Sequence, residues 1–274
     1  MLAGAIDTHI HASPDVRPRK LTDADVARQA ADARMRAIVL KSHVTSTADR
    51  AAIAEEAVAH RVRVLGGVVL NRAVGGLNED AVAAALAMGG RVVWLPTTSA
   101  RSTSPSVEHR DGIAVVEEGR VVPALIRILE RIAASDAVLA TGHLVAAELR
   151  VVVPEAVRRG VRRILVTHPE LPLVDLDVAT QRELARSGAR FERCWQSVRG
   201  TTATTPFERI ASDIRDVGTE TTVLATDFGQ PENATPAQGY ADYLDALAAA
   251  GFRDAELERM ACANATALLG LDAP

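Results

Sequence analysis

Near its N-terminus the sequence reads Ile6-Asp7-Thr8-His9-Ile10-His11. Along an extended strand alternate side chains share a face, so Asp7, His9 and His11 point one way and Ile6, Thr8 and Ile10 the other. Two converging imidazoles beside a carboxylate are half of a coordination shell, because imidazole nitrogen is the commonest neutral ligand for zinc and related divalent ions. A lone His-x-His is more often a polar surface strand. The reading turns on further ligands, and three strand-like runs downstream end in them: Thr141-Gly142-His143, Thr167-His168-Pro169 and Thr226-Asp227-Phe228-Gly229.

The elements that must position these residues follow from the pattern of apolar runs. Runs rich in Val, Ile and Leu span 5–11, 37–43, 63–71, 91–97, 137–143, 162–168, 190–195 and 222–228, each followed by an alanine- and charge-rich amphipathic segment. That alternation marks βα units and a parallel sheet. Eight units at a spacing of roughly 30 residues predict a single-domain, closed α/β (β/α)8 TIM-type barrel over 1–274, since such barrels take about 250 residues. An open doubly wound sheet is the rival, but the first run ends in His-Ala-Ser-Pro with no Gly-x-Gly-x-x-Gly. In a parallel barrel every strand delivers its C-terminal end to one face, so the four ligand-bearing ends ring one mouth.

Helix signals fit this frame. Thr22-Asp23-Ala24-Asp25 predicts a capped helix to about Met35, with Val26, Ala30, Ala33 and Met35 toward the sheet. Thr47 and Asn78 are expected as N-caps of the second and third helices, and Thr205-Pro206 as cap and first residue of the seventh. Pro154 should kink or break the helix after the fifth strand. The connection after strand four is long: it is Ser/Thr/Arg-rich from Thr97 to Arg110, then carries a small β-hairpin around Glu117-Glu118-Gly119, and it should hang over the mouth. Two helices, 236–250 and 255–269, are expected at the end, separated at Gly251.

Composition bounds the function. The 274 residues are 48% hydrophobic with a formal net charge of -4, which gives a nucleic-acid partner little support. Cys194 and Cys262 form neither a Cys-x-x-Cys pair nor a disulfide framework, which points to a reducing compartment. No basic leader or membrane-length apolar stretch is present, so a cytoplasmic protein without a membrane partner is expected. A homo-oligomer is left open.

The set His9, His11, His143, His168 and Asp227 resembles the amidohydrolase superfamily of metal-dependent (β/α)8 hydrolases. That pattern has His-x-His ending strand one, single histidines after strands five and six, and an aspartate after strand eight. The ending Asn264-Ala265-Thr266-Ala267-Leu268-Leu269-Gly270-Leu271 is also similar to one common in that superfamily. The resemblance implies one or two divalent ions, zinc first and manganese or iron as alternatives. One departure stands out: binuclear members carry a bridging carboxylated lysine or glutamate at the end of strand four, and this chain has Trp94-Leu95-Pro96-Thr97 there. The nearest candidate is Lys41, ending strand two. Three roles are open to it: an ammonium holding an anionic substrate, a carbamate bridge from an unusual strand, or a structural ion pair with Asp7 or another barrel carboxylate.

On this reading the ion acidifies a water molecule and polarises a substrate oxygen, Asp227 is ligand and general base, and Asp7 orients an imidazole from behind. Arg17, His43, Arg72 and His109 are substrate-binding candidates, favouring a small anionic molecule. The activity expected is hydrolysis of an amide, lactone or ester. A decarboxylase on the same site is the alternative, then a phosphoesterase, then a non-catalytic metal- or metabolite-binding barrel.

Overall fold

Each of the eight apolar runs contributes to a parallel wall in the computed structural model, which describes residues 2–102 and 112–272. The strands β1 (Ile6–Ile10), β2 (Ala37–Leu40) and β3 (Arg63–Leu65) pair in that order, and β3 runs on past Gly66 into β4 (Gly67–Val69). From β4 the order continues through β5 (Val92–Trp94), β8 (Val138–Ala140), β9 (Arg163–Thr167), β10 (Ala189–Cys194) and β11 (Thr222–Ala225). The wall closes where the segment after β11 returns to β1. There His11 N–H donates to Phe228 O and Asp227 N–H to His9 O, both at 2.8 Å. The fold is the (β/α)8 barrel.

Strands buried on both faces explain why these runs are almost continuously apolar. Inside the wall, Ile6, Val39, Val69, Trp94, Val138, Leu165 and Val223 pack with Leu268 and Leu269 of the C-terminal helix α11 (Asn264–Leu269), which plugs the lower end. Outside it, alternate strand residues such as Ile38, Leu40 and Leu139 face the helices. Each fully buried aliphatic side chain adds about 1.5–3 kcal/mol, so the scaffold beneath the mouth is stiff and the mouth can hold polar groups.

The caps divide into two kinds. Thr22 Oγ1 accepts from Asp25 N–H (3.1 Å) ahead of α1 (Asp23–Asp32), and Asn78 Oδ1 accepts from Asp80 and Ala81 N–H (3.1 and 3.2 Å) ahead of α3 (Glu79–Ala87). Helix α1 stops short of Met35, because Arg34 takes a left-handed conformation. Thr47 and Thr205 do not cap with their side chains. Thr47 Oγ1 donates to Leu40 O (2.7 Å) and accepts from Gly67 N–H (3.0 Å), tying β2 to β4; Thr205 Oγ1 donates to Glu170 O (3.2 Å), and Pro206 holds the cap position of α8 (Phe207–Val217). Pro154 neither breaks nor divides α5 (Ala146–Arg158). It is exposed, so the carbonyl that loses its N–H partner can be met by water.

The hairpin after strand four is present as β6 (Val116–Glu117) and β7 (Arg120–Val121), with Glu118 and Gly119 both at positive φ in the two-residue turn. Residues 103–111, including His109, lie outside the described residues, and with them most of the loop expected over the mouth. At the end of the chain α9 (Pro236–Ala249) stops before Gly251, and a second helical stretch carries a π turn at Arg259–Ala263 before α11. No helix among the described residues is long and apolar enough to cross a membrane.

Two glycines are required by contact. A Cβ at Gly229 (φ 148°) would lie 1.9 Å from His11 O, and one at Gly142 (φ 63°) would lie 2.3 Å from Leu95 O. Both adjoin ligand candidates, so the close backbone approach is part of how Asp227 and His143 are placed. Gly229→Ala is expected to destabilise the fold by about 3 kcal/mol or more, read as a lowered urea midpoint. An unchanged midpoint would contradict this approach of the two strand ends.

Candidate active site

The mouth gathers its chemistry from separate strand ends. His9 lies in β1 and His11 just past it; Lys41 and His43 follow β2, His143 follows β8, His168 follows β9, and Asp227 follows β11. Five imidazoles form a closed ring: centroids are 5.2 Å apart for His9–His11, 5.0 Å for His11–His43, 6.4 Å for His43–His143, 5.6 Å for His143–His168 and 5.2 Å for His168–His9. Asp227 sits against this ring, with Oδ1 3.0 Å from Nε2 of both His9 and His11 and Oδ2 3.5 Å from His168 Nε2. Asp227 and His168 hold φ of 56° and 53°. Left-handed non-glycine residues cost of order 1–3 kcal/mol each and persist where surrounding structure forces them.

The hydrogen bonds behind the ring fix which nitrogen carries the proton. His9 Nδ1 is 3.0 Å from Glu192 Oε2, and His11 Nδ1 is 2.9 Å from Lys41 O. A carboxylate or carbonyl oxygen only accepts, so both rings donate from Nδ1 and turn Nε2 toward Asp227. Buried His9 Nε2 makes no well-aligned hydrogen bond despite its 3.0 Å approach to Asp227. Nitrogen and carboxylate oxygen are therefore close without pointing at each other, the arrangement of donors that share a third atom. Nδ1–H bonded to a carboxylate with Nε2 bare is also the usual support of a metal-ligating histidine. The electrostatics agree: the carboxylates of Asp227 and Glu192 both act on Lys41 and on His9.

Burial pushes the His11 imidazole down to about 4, and burial with Lys41 nearby takes His143 to about 3. Burial also holds His43 and His168 well below the usual range. His9 moves the other way: burial lowers it, but Asp227 and Glu192 together raise it, with Lys41 opposing. For Asp227 burial pushes up, and His9, His11 and His168 overcome this and hold the carboxylate well below its ordinary range.

Asp7 has a different place from the expected one. The register of β1 against β2 slips between Asp7 and Ile10, which breaks the simple alternation of faces. Its carboxylate accepts Thr226 Oγ1–H (2.6 Å), Thr226 N–H (3.0 Å) and His9 N–H (3.2 Å), while burial raises its pKa to about 7. It fastens backbone, and Glu192 orients the imidazole of His9. Glu192 also accepts Thr8 Oγ1–H at 2.7 Å. The sequence reading missed Glu192; the signal was a charged pair, Glu192-Arg193, inside a run that must be buried. Arg193 turns the other way, reaching Glu170 and Gln181 (3.0 Å).

The cavity above the ring measures about 420 Å³, the size of a small-molecule site. Lys41, His43, His143, His168, Asp227 and Arg17 line it, with Arg19 and Gln196 at its sides. Lys41 Nζ is buried with no hydrogen-bond partner among the described residues and lies 5.6 Å from the Trp94 ring centroid; no ion pair links it to Asp7. Arg17 is exposed at the rim, and Arg19 is held by Asp15 (2.9 and 2.8 Å). Arg72 is exposed and does not line the cavity; its N–H donates to Ser99 Oγ (3.2 Å). Trp195 stacks on Tyr243 at 4.7 Å, outside the cavity. The Cys194 thiol, 3.9 Å from His9 Nδ1, is pushed up by burial, which keeps it protonated.

Fold and cluster together define a (β/α)8 barrel with a candidate metal centre in its C-terminal mouth. The model described as "Family of unknown function (DUF6282)" matches residues 4–192, and the chain belongs to that family. No curated protein matches the sequence. Solved structures share the fold at low identity. An amidohydrolase from Pseudomonas aeruginosa is 12% identical, with a TM-score of 0.65 over 97% of this chain and 95% of that one. A 2,6-dihydroxybenzoate decarboxylase from Rhizobium is 14% identical, with a TM-score of 0.59 over 99% and 100%. A metallopeptidase from Rhodobacter sphaeroides, liganded with a phosphinate mimic of L-Ala-D-Ala, is 16% identical, with a TM-score of 0.56 over 98% and 86%.

A pH test follows from the ring. A metal needs neutral imidazoles, and His11 and His143 are already neutral well below pH 6, whereas His9, raised, is the proton the metal must displace. Zinc affinity is expected to fall as pH drops below the His9 pKa, by about tenfold per unit, with about one proton released from the histidines. Calorimetric titration in buffers of different ionisation enthalpy measures this, and a release near three protons would contradict the neutral state of His11 and His143.

Proposed function

We propose that the protein is a metal-dependent hydrolase of the amidohydrolase superfamily, cleaving an amide, lactone or ester bond in a small anionic substrate. The observation that carries this reading is the convergence of the Nε2 atoms of His9 and His11 on Asp227 Oδ1, each 3.0 Å away, with both Nδ1 atoms engaged from behind. His9, His11 and Asp227 would hold a divalent ion, most simply zinc, with His168 and His143 completing its shell or holding a second ion. When bound, such an ion supplies Lewis acidity and makes water nucleophilic near neutral pH.

The chain's own groups supply the rest. Asp227, kept ionised by the imidazoles around it, accepts the proton of the attacking water and passes it to the leaving group. Glu192 and the Lys41 carbonyl keep His9 and His11 in the ligating tautomer throughout. Asp7 holds the backbone on either side of Asp227 against β1. Arg17 at the rim and Lys41 at the floor give the cavity its preference for an anion.

A decarboxylase reading has one specific support. The end of β5 offers Trp94, Leu95, Pro96 and Thr97, with no group to bridge two ions, while an unpartnered lysine faces the cavity. Both readings are tested on zinc-, manganese- and iron-loaded protein against chelator-treated protein, using small esters, lactones, amides and carboxylic acids. Hydrolysis is expected only with metal, and Asp227→Asn should lower turnover roughly 10³-fold or more while leaving the far-UV spectrum intact. Carbon dioxide release from a carboxylic acid without hydrolysis of any ester, lactone or amide would replace the hydrolase by the decarboxylase. Protein that binds no metal would end both.

A further inference from the structure

The end of β2 sends Lys41 and His43 into the same cavity. Their hydrogen bonds set them apart from the ligand candidates. Asn71 Oδ1 accepts from Thr97 N–H (2.9 Å) and Ser99 N–H (3.2 Å), which fixes the amide so that Nδ2 is the donor. Nδ2 donates to His43 O (3.1 Å) and to Thr97 Oγ1 (2.7 Å). Thr97 Oγ1 therefore receives one hydrogen from Asn71, and it lies 2.8 Å from His43 Nδ1, to which it can donate its own hydrogen or from which it can accept through its second lone pair. With the Thr97 hydroxyl donating, His43 accepts at Nδ1 and carries its proton on Nε2, the opposite tautomer to His9 and His11. In that tautomer its Nε2 offers an N–H to an anion, where theirs turn toward Asp227.

Lys41 completes a pair of donors. Lys20 and Lys41 are the only lysines of the sequence among 31 basic residues. Lys41 is 2% exposed, and its Nζ has no hydrogen-bond partner among the described residues. An amine there offers N–H donors whatever its protonation state, and buried donors left without hydrogen-bond partners are costly. We propose that Lys41 Nζ and His43 Nε2–H form a seat for a substrate carboxylate, with Asn71 and Thr97 acting as positioning residues that hold His43 as the donor. Two donors lining one cavity suit the two oxygens of a carboxylate better than the larger oxygen set of a phosphate. The acid group then enters first and rests on the cavity floor beside His11, deeper than the Arg17 rim. The inference rests on the reading of this cavity as a substrate site, and it narrows the substrate to short carboxylic acids and their derivatives.

The test combines nitrogen NMR of ¹⁵N-histidine-labelled, zinc-loaded protein with titrations of acetate, its neutral isostere acetamide, and inorganic phosphate. His43 is expected as the Nε2–H tautomer, with that resonance moving on adding acetate and not on adding acetamide. Lys41→Met should weaken acetate binding by about tenfold, the worth of a charge-assisted hydrogen bond. Thr97→Val should shift His43 toward the Nδ1–H form and weaken acetate several-fold with unchanged zinc content. A wild-type His43 protonated on Nδ1 would overturn the proposal, and needs no variant to fold. So would acetate affinity unchanged in Lys41→Met, which places acetate on the zinc alone, or phosphate binding more tightly than acetate at the His43 resonance. Failure of the wild-type protein to bind zinc would refute the metal-dependent hydrolase instead, and the His43 tautomer and acetate response would still be read in the metal-free protein.

Discussion

The mouth of this barrel depends on the seam between its first strand and the segment following its last. His11 N–H and Asp227 N–H cross that seam to Phe228 O and His9 O, and Asp7 spans it with bonds to the backbone of His9 and to both the backbone and hydroxyl of Thr226. These contacts bring Asp227 Oδ1 to the Nε2 atoms of His9 and His11. Gly229 is part of the same constraint, since the strand ends approach too closely there for a Cβ. The strain at Asp227 is sustained by this seam rather than by any local preference of the residue.

Identical side chains acquire different chemistry from the atoms behind them. His9 and His11 are backed by acceptors, a carboxylate and a carbonyl, and so present lone pairs. His43 is backed instead by a hydroxyl that Asn71 also engages, the support on which the proposed Nε2–H donor rests. All three are at most partly exposed rings in one circle, and burial keeps His11 and His43 uncharged. Position alone would have made them equivalent. The supporting residues on β10 and at the ends of β4 and β5 make them separate functions.

Much of this was legible in the sequence because a parallel barrel converts chain order into geometry. Apolar runs buried on both faces declared the strands, and polar residues at their ends declared the mouth. Residues acting through a neighbour were harder to see. Glu192 lies within a strand, and nothing in a period of two says that its carboxylate meets the imidazole of His9. Asp7 appeared to share a face with His9 until the register slip turned it to Thr226. Thr47 and Thr205 carry the composition of caps, yet their hydroxyls met nearer backbone partners in the folded chain. Pro154 was expected to interrupt a helix, but its place on the exposed side made the lost hydrogen bond tolerable.

The seam also orders events in time. Asp7 and Thr226 are 219 positions apart, so the two sides of the candidate centre leave the ribosome far apart in time. Contacts of such long range form late, because the intervening chain must first surrender its freedom. The His-x-His pair on its own has neither its carboxylate nor the two backbone clasps that align it. A cluster built across this junction is complete only in a finished barrel, once the last strand has been laid against the first.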